Sequence, residues 1–292
     1  MPIMKKKDLD KYFGDIEKLS TLPTVVAKLI KIIEDPNSKV EEVMKVISED
    51  QAMVTNILKM VNSAYYSLSK KITSLSQAIV IIGFYNLKQL VIGTSVVNLF
   101  LDEGDSEFSR EEFWRHSVAT ASTARLISKN IKYPYPEEAF VGGLIHDIGK
   151  LILEQYLHTE FMKALEYGEK NHIALVKAEE EIIGINHAEV GGYIAKKWGL
   201  PQTYVDVLSN HHKSVFQNKN LTDAQKKLIT IVRVSNNFVK KKRIGESGNK
   251  VITSLTPNYL NFLGITLGEI EKYYEWIKGE TEVIMEQLGI KK

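Results

Sequence analysis

The chain has 292 residues, which is enough for one or two domains that each bury a hydrophobic core. Lys plus Arg number 38 and Asp plus Glu number 36, so the net charge of +2 gives no large field to attract nucleic acid or an anionic membrane. Cysteine is absent, which excludes disulfides, cysteine-ligated zinc, iron–sulfur clusters and a cysteine nucleophile. No apolar run approaches the ~20 residues that span a bilayer. The lysines at 5–7 are followed by Asp8-Leu9-Asp10-Lys11 instead of the apolar region of a signal peptide, so we expect a cytoplasmic protein.

Apolar residues recur at helical spacing along the whole chain. The seven prolines leave long uninterrupted windows at 37–133, 137–200 and 202–256, and stripes such as Val40–Ile47 fit a period of 3.6 residues. Three serines stand three residues before Glu or Gln and predict capped helix starts: Ser38, Ser74 and Ser109. Three glycines that follow apolar runs predict helix ends: Gly83, Gly184 and Gly199. We therefore expect an all-α fold of about a dozen helices.

Two polar stretches divide the chain into three predicted segments. Asp102–Glu107 separates an N-terminal helical subdomain, residues 1–106, from a second helical segment, residues 107–240. The basic, glycine-containing stretch at 240–249 precedes a C-terminal helical extension, residues 241–292. All seven histidines of the chain lie after residue 106, which indicates that any histidine chemistry is confined to the second segment.

The sequence Leu144–Lys150 carries the sharpest local signal, because His146 and Asp147 stand side by side after an apolar run. On a continuous helix, Asp147 shares one face with Phe140, Leu144 and Leu151, so its carboxylate should point inward. A buried carboxylate is costly unless it is paired or binds a metal. Lys150 lies three residues after Asp147 and reaches the same site. The small residues Gly142 and Gly143 allow another helix to approach closely.

Four more histidines have similar positions on apolar helix faces, and two do not. The four are His116, His187, His211 and His212, and the gaps between them can each hold one or two helices. His158 and His172 stand in polar contexts, where we expect exposed side chains. Imidazoles suit zinc, iron, nickel and manganese, and one Asp between two ions can bridge them. From the residues alone, a metal site and a hydrogen-bonded core of histidines remain open alternatives.

Three other segments have a functional and a structural interpretation. Lys240–Arg243 could contact phosphate or nucleic acid, but we interpret it as a solvated loop because no aromatic residues are interleaved. The turn Asn62–Tyr66 could bind a partner, whereas packing of Tyr65 on the second segment is the expected alternative. Leu267–Leu288 is predicted to form an amphipathic helix that could form a dimer face, whereas packing on its own chain is the expected alternative.

At these residues the chain resembles the HD superfamily, whose members are α-helical, metal-dependent phosphohydrolases. His116 matches the first histidine of that family, His146-Asp147 the HD pair and Lys150 the lysine that follows it, while His187 and His211-His212 match later ligands. Further segments resemble the HD-related output domain, HDOD, over about residues 15–240: Leu19–Pro23, Ile47–Gln51, Leu58–Tyr66, Ile72–Gly83, Phe140–Lys150 and His187–Pro201.

This resemblance implies an HD-like helical core at residues 107–240 and one or two divalent transition-metal ions, Fe, Mn, Zn or Ni. The ligands it implies are His116, His146, Asp147, His187, His211 and His212. If the protein is an enzyme, Asp147 and Lys150 are the implied catalytic residues.

The chain departs from the HD enzymes at two places. Asn236 stands where the enzymes have their last Asp ligand, and an amide is a poorer ligand than a carboxylate for a hard cation. His211-His212 runs into Lys213–Phe216, so the loop typical of cyclic-di-nucleotide phosphodiesterases is absent. Because HDOD members need not be enzymes, we expect a regulatory signalling module with a retained or degenerate metal site. Its partner would be a signalling protein or a small nucleotide-like ligand. The alternative is a metal-dependent phosphohydrolase or phosphodiesterase.

Overall fold

A computed structural model describes residues 9, 24–35, 37–66, 68, 70–101, 108–248, 251–252 and 255–290. Within these ranges the chain is α-helical without strands, as predicted. The predicted segments Leu19–Pro23 and Asp102–Glu107 lie outside the described residues. The helices are α1 (Thr24–Glu34), α2 (Val40–Ser48), α3 (Gln51–Val61), α4 (Leu75–Ile82), α5 (Phe84–Asn98), α6 (Arg110–Asn130), α7 (Pro136–Ile145), α8 (Ile148–Tyr156), α9 (His158–Lys170), α10 (Leu175–Ile182), α11 (His187–Lys197), α12 (Gln202–Asn210), α13 (Asp223–Lys242), α14 (Pro257–Leu263), α15 (Leu267–Glu271) and α16 (Tyr274–Gln287), with a 3₁₀ turn at Ala64–Tyr66.

Two of the three predicted serine caps are confirmed. The hydroxyls of Ser74 and Ser109 accept the backbone N–H of the third residue of α4 and α6, at 3.3 and 3.2 Å. The prediction for Ser38 is wrong, because α2 begins one residue later with Lys39 as its N-cap and without a side-chain cap. The Ser38 hydroxyl instead accepts a hydrogen bond from Lys88 on α5 at 3.5 Å. The Ser38 hydroxyl therefore bonds a residue 50 positions along the chain and does not cap α2.

The N-terminal helices join the rest of the molecule through α5. This helix packs on α1, α3 and α4 on one side and on α7 on the other. Of the eleven positions from Leu87 to Val97, only Lys88 is not buried. A helix that is apolar nearly all round belongs in a core. The N-terminal half and the histidine-bearing half thus share one hydrophobic core.

The histidine-bearing half is built around α6, which packs against α7, α13 and α16. α11 packs on α8 and α12, and α13 packs on α7 and α12. The predicted loop Lys240–Arg243 is wrong in part, since Lys240–Lys242 form the last turn of α13. The helix continues because Phe238 and Val239 are still buried.

The C-terminal segment packs on its own chain, as predicted, but not as one helix. It divides into α15 and α16, which are separated at Lys272–Tyr273. Ile277 and Ile284 of α16 are buried, and this helix lies against α6 and α3.

A buried ionic junction connects three parts of the chain around Arg125 of α6. Its guanidinium lies 3.5 Å from Glu137 at the start of α7 and 3.2 Å from Glu280 of α16. The ring centroid of Tyr65, from the 3₁₀ turn, lies 3.7 Å from the same guanidinium. The expectation that Tyr65 packs on the second segment is therefore confirmed. Arg125, Glu137 and Glu280 are each at most 3% exposed.

Among the described residues, no single helix has the length and apolar composition needed to cross a bilayer. The pair α4 and α5 passes that test only when taken together, and the two helices are bent by 117° at Gly83.

Candidate metal centre

Five histidines and Asp147 converge on one buried point. His116 comes from α6, His146 and Asp147 from the turn between α7 and α8, His187 from the start of α11, and the His211-His212 pair from the end of α12. Asp147 lies in the middle. Its Oδ1 is 3.3 Å from Nε2 of His187 and 3.4 Å from Nε2 of His211, and its Oδ2 is 3.3 Å from Nε2 of His146.

The His146-Asp147 pair sits in a break between two helices. The predicted continuous helical face through Phe140, Asp147 and Leu151 is wrong in this respect, because α7 ends at Ile145 and α8 begins at Ile148. All three side chains are nevertheless fully buried, as the pattern predicts. The turn directs both members of the pair to the same side, which two adjacent residues in a helix cannot do.

Two glycines permit the helix contacts that assemble the centre. A Cβ atom at Gly143 of α7 would lie 2.8 Å from the Cα of Ala121 on α6, so the predicted close approach at this position is confirmed. A Cβ atom at Gly149 of α8 would lie 1.9 Å from the backbone oxygen of His187. Any side chain at Gly149 would separate α8 from α11 and move His187 away from Asp147.

Backbone and carboxylate acceptors fix the tautomers of three histidines. Nδ1 of His146 lies 2.7 Å from the Gly143 carbonyl, and Nδ1 of His211 lies 2.9 Å from the Leu208 carbonyl. Nδ1 of His187 lies 2.6 Å from Oε2 of Glu179. Since a carbonyl or carboxylate oxygen only accepts, each Nδ1 carries the hydrogen. With Nδ1 protonated, a neutral imidazole in this orientation presents a bare Nε2 on the side of Asp147, which is how metal-binding histidines are oriented.

The donor atoms form two overlapping groups that share Asp147. One group contains Asp147, His187, His211 and His212, and the other contains His116, His146 and Asp147. Within each group the potential ligand atoms all lie within 4.8 Å of one another. Four of the buried atoms have no hydrogen-bond partner among the described residues: Nε2 of His116, His146 and His211, and Oδ1 of Asp147. Unsatisfied buried nitrogens and a carboxylate oxygen at this spacing fit a divalent transition metal.

The electrostatics of the centre favour ligand protonation states suitable for a cation. Burial alone would raise the pKa of Asp147, but His146 and Lys150 more than offset it, so its pKa lies well below the ordinary value. Burial lowers the pKa of His116 and His212 well below the ordinary histidine value, and lowers that of His211 to about 3. The carboxylate is therefore ionised and these three imidazoles are neutral at neutral pH.

Lys150 is fully buried and bonded on several sides. Its Nζ donates to Oδ2 of Asp147 at 2.5 Å, and to the backbone oxygen and the hydroxyl of Ser247 at 3.0 and 3.2 Å. Ser247 follows α13 and is 3% exposed. In this conformation the ammonium group is held by the protein itself.

A cavity of about 30 Å³ lies beside His211 and His212. Four residues of α13 also line it, Arg233, Asn236, Asn237 and Lys240, together with Leu255. Oδ1 of Asn236 is buried there without a hydrogen-bond partner in the described part of the chain. Burial and the nearby Lys150 charge lower the pKa of Lys240 to about 7, against the opposing effect of Asp147. The space accommodates no more than a few water molecules.

The structure brings together every predicted ligand and also adds residues that the pattern did not indicate. His158 and His172 are exposed, as expected. Glu179, Ser247 and Lys240 were missed. Glu179 stands in the run Glu179–Glu181, which looks like a solvated helix face, yet it is 0% exposed. Neither residue spacing nor composition distinguishes it from its two neighbours.

Replacing Glu179 by glutamine should weaken metal binding about 10–100-fold, because a carboxylate that accepts the Nδ1–H of a metal-binding histidine orients and polarises its ring. Glu179 Oε2 accepts both the backbone N–H of His187 at 2.9 Å and its Nδ1–H. The measurement is a competition titration with a metal indicator. Glu181→Gln is the matched control, since the Glu181 carboxylate accepts a hydrogen bond from the Tyr167 hydroxyl at the surface, at 2.6 Å. Equal affinities of the two variants would contradict the prediction.

The metal-free protein should lose stability as the pH falls below neutrality. Histidine in an unfolded chain titrates near pH ~6.5, whereas the pKa values of His116, His211 and His212 are lowered by burial. The unfolded state therefore binds protons that the folded state excludes, and the free energy of unfolding decreases from about pH 6.5 toward pH 3. His187 opposes this, because Glu179 and Asp147 outweigh burial and raise its pKa. The three lowered histidines set the expected sign, since the pKa of His211 alone falls from the unfolded value of ~6.5 to about 3.

Urea unfolding in the presence of a chelator, at pH 7 and at pH 5.5, measures this dependence. A midpoint that is unchanged or higher at pH 5.5 would show that the histidines are not buried as neutral groups.

The fold corresponds to that of known proteins. A family model described as the HDOD domain matches residues 19–214. An HDOD domain protein of unknown function from Geobacter sulfurreducens is 23% identical, with a TM-score of 0.75 over 91% of this chain and 92% of that chain. A protein from Shewanella amazonensis SB2B, named as a proposed phosphohydrolase, is 21% identical, with a TM-score of 0.73 over 95% and 97% of the two chains.

A protein of Treponema pallidum (strain Nichols) is 24% identical over 198 residues, which are 68% of this chain and 38% of that protein. The chain thus spans less than half the length of this curated relative. The two solved structures agree with the helical fold found here, and the family match covers most of the chain, including the histidine pair at 211–212. The chain therefore belongs to the HDOD family.

Proposed function

We propose that this protein is a regulatory HDOD module whose His/Asp centre binds a divalent transition metal as a structural or sensory element, and that it does not hydrolyse phosphoesters in the conformation described. Asp147, His187, His211 and His212 would bind one ion. His116 and His146, with the other oxygen of Asp147, offer ligands for a second. A bound ion would cross-link the turn before α8 to α11 and α12, and would supply Lewis acidity to any oxygen that reached it. The module would act on a signalling protein or a small nucleotide-like ligand.

The observation that carries this proposal is the burial of the centre. His116, His146, Asp147, His187 and His211 are each at most 1% exposed. Lys150, the residue that would bind a substrate phosphate, donates to Asp147 and Ser247. The adjacent cavity of about 30 Å³ is too small for a phosphoester. A site that is fully assembled but closed to substrate supports binding or sensing over turnover.

A metal-dependent phosphohydrolase is the second candidate, and one observation favours it. The two ligand groups share Asp147, and a carboxylate between two ions is the arrangement of two-metal hydrolases. In this alternative, Asp147 would orient both halves of the centre and Lys150 would bind the phosphate after leaving Ser247.

Metal content and turnover, measured on the same preparation, separate the two functions. The chain should be purified without chelator or affinity tag, under low oxygen, and its metals quantified by elemental analysis. We expect about one ion per chain, because the second group of donors offers only His116 and His146 besides the shared Asp147. We also expect no release of phosphate or nucleotide product from a panel of phosphoesters. Turnover that is abolished by Asp147→Ala would establish the hydrolase instead, and a metal-free preparation that takes up no added Zn²⁺ or Mn²⁺ would contradict both.

A further inference from the structure

The five residues Ile244–Gly248, which we call the cover segment, follow α13 and contact the centre at Lys150 and α6. Ile244 is buried against the core, and the N–H of Glu246 donates to the backbone oxygen of Glu112 on α6 at 3.0 Å. Ser247 then reaches Lys150. The segment therefore bridges α6, which carries His116, and α8, which carries Lys150.

Ser247 completes the bonding of Lys150. A lysine ammonium has three hydrogens to donate. Its acceptors here are Asp147 Oδ2, the Ser247 carbonyl and the Ser247 hydroxyl. Two of the three acceptors thus come from one residue of the cover segment. Any ligand that binds this ammonium must first displace Ser247.

Gly245 fits the cover segment to α6 with no space left for a side chain. A Cβ atom at this position would lie 2.3 Å from the backbone nitrogen of His116 and 2.6 Å from the Glu112 carbonyl. Both atoms belong to the backbone of a helix, so rotation of a side chain cannot relieve the overlap. Closure therefore requires glycine at residue 245.

The ends of the cover segment have the backbone geometry of hinges. Arg243 has a φ of +54°, Gly245 of +67° and Gly248 of +76°. Hinge motions are absorbed by a few loop or element-terminal positions, which are often small residues. Movement about Gly245 and Gly248 would release Ser247 from Lys150 while Ile244 and α13 stay in place.

We propose that the cover segment is an autoinhibitory lid: Ser247 acts as an internal ligand of Lys150, and release of residues 245–248 opens the buried centre to solvent. This inference rests on the proposed function, because it describes how access to that centre is regulated. It accounts for a set of HD residues that lacks only the Asp replaced by Asn236 and whose members His116, His146, Asp147, His187 and His211 are at most 1% exposed. It also explains why Lys150 is buried in the closed state without a substrate: its ammonium group holds Ser247 in place.

Gly245→Ala tests the lid without altering a ligand or Lys150. The added methyl cannot be accommodated against the helix, so the closed state should be disfavoured. Gly264→Ala is the matched control, because Gly264 has a nearly equal φ of +69° but nothing within 4 Å of its added Cβ. Both variants therefore bear the same backbone strain. Ser247→Ala is a second, milder variant that removes only the hydroxyl acceptor.

The readouts are the acetylation rate of Lys150, followed by peptide mass spectrometry, and the rate at which Zn²⁺-loaded protein transfers its metal to a chelator. In Gly245→Ala we expect both rates to rise about tenfold or more over the parent through local opening, with a smaller rise in Ser247→Ala. The control should match the parent. Amide exchange in α7 must stay at the parent level, which shows that opening is local.

If Lys150 is acetylated no faster in Gly245→Ala than in the Gly264→Ala control, the lid proposal is overturned. If Gly245→Ala does not fold, an unchanged Lys150 rate in the folded Ser247→Ala variant would overturn it equally. Because acetylation needs no metal, this outcome is distinct from failure of the proposed function, which a parent protein unable to bind metal would reveal.

Discussion

Asp147→Ala is expected to lower the free energy of unfolding of the metal-free protein by about 3–5 kcal/mol, because removing one partner of a buried ion pair leaves an uncompensated charge. Lys150 and Asp147 are both 0% exposed, and their charged atoms are 2.5 Å apart. The remaining acceptors of Lys150 belong to neutral Ser247, which cannot balance a full charge. The measurement is chemical denaturation of chelator-treated protein at pH 7.

A double-mutant cycle identifies the cause of this loss. In Asp147→Ala/Lys150→Met the unpaired ammonium is absent, so the double variant should be more stable than Asp147→Ala alone. Zn²⁺ should raise the melting temperature of the parent by binding linkage and leave both variants unchanged. A double variant no more stable than Asp147→Ala would show that packing, and not charge, carries the cost.

Arg125→Met should destabilise the protein by a comparable amount, about 3–5 kcal/mol, since it strands two buried carboxylates at once. Glu137 and Glu280 both face the guanidinium, and Tyr65 stacks on it. Arg115→Met is the matched control on the same helix. Arg115 pairs with Glu111, Glu112 and Glu282, which are all more exposed, so its loss should cost no more than about 1 kcal/mol.

The loss in the free energy of unfolding caused by Arg125→Met should also become smaller as the pH falls. Burial raises the pKa of Glu137 even with Arg125 present, despite the lowering effect of the arginine. Without that arginine the pKa rises further. A carboxyl whose folded pKa exceeds its unfolded value contributes stability at low pH that is lost as the pH rises through the folded pKa. Denaturation of parent and variant at pH 5 and pH 7 measures this, and a deficit that grows on acidification would contradict it.

The sequence predicts this molecule best where the cause of structure is local. Helical periodicity and the caps at Ser74 and Ser109 depend on residues at most four apart, and both are confirmed. The His146-Asp147 signal is equally local, although the break between α7 and α8 was not foreseen. That break depends on how α8 packs against α11, at the contact of Gly149 with His187.

What the sequence did not predict depends on distant partners. Ser247 is 97 residues from Lys150, and no pattern joins them. Glu179 is eight residues from His187, but they belong to different helices, so helical spacing does not relate them. Lys240 was placed in a solvated loop because its basic run resembles one, whereas packing of Phe238 and Val239 carries α13 past it. The metal ligands themselves remain predictions until metal content is measured.

The ionic junction at Arg125 has a consequence for how the chain is made. Glu280 follows Arg125 by 155 residues, and at about 5–20 residues per second a ribosome needs roughly 8–30 s to synthesise that interval. During this time Arg125 has Glu137 as a partner but lacks the second carboxylate and the helix that covers it. Final closure of the histidine-bearing core must therefore wait until α16 has left the ribosome. A nascent chain that stalls before residue 280 would present an incompletely packed core to chaperones and proteases.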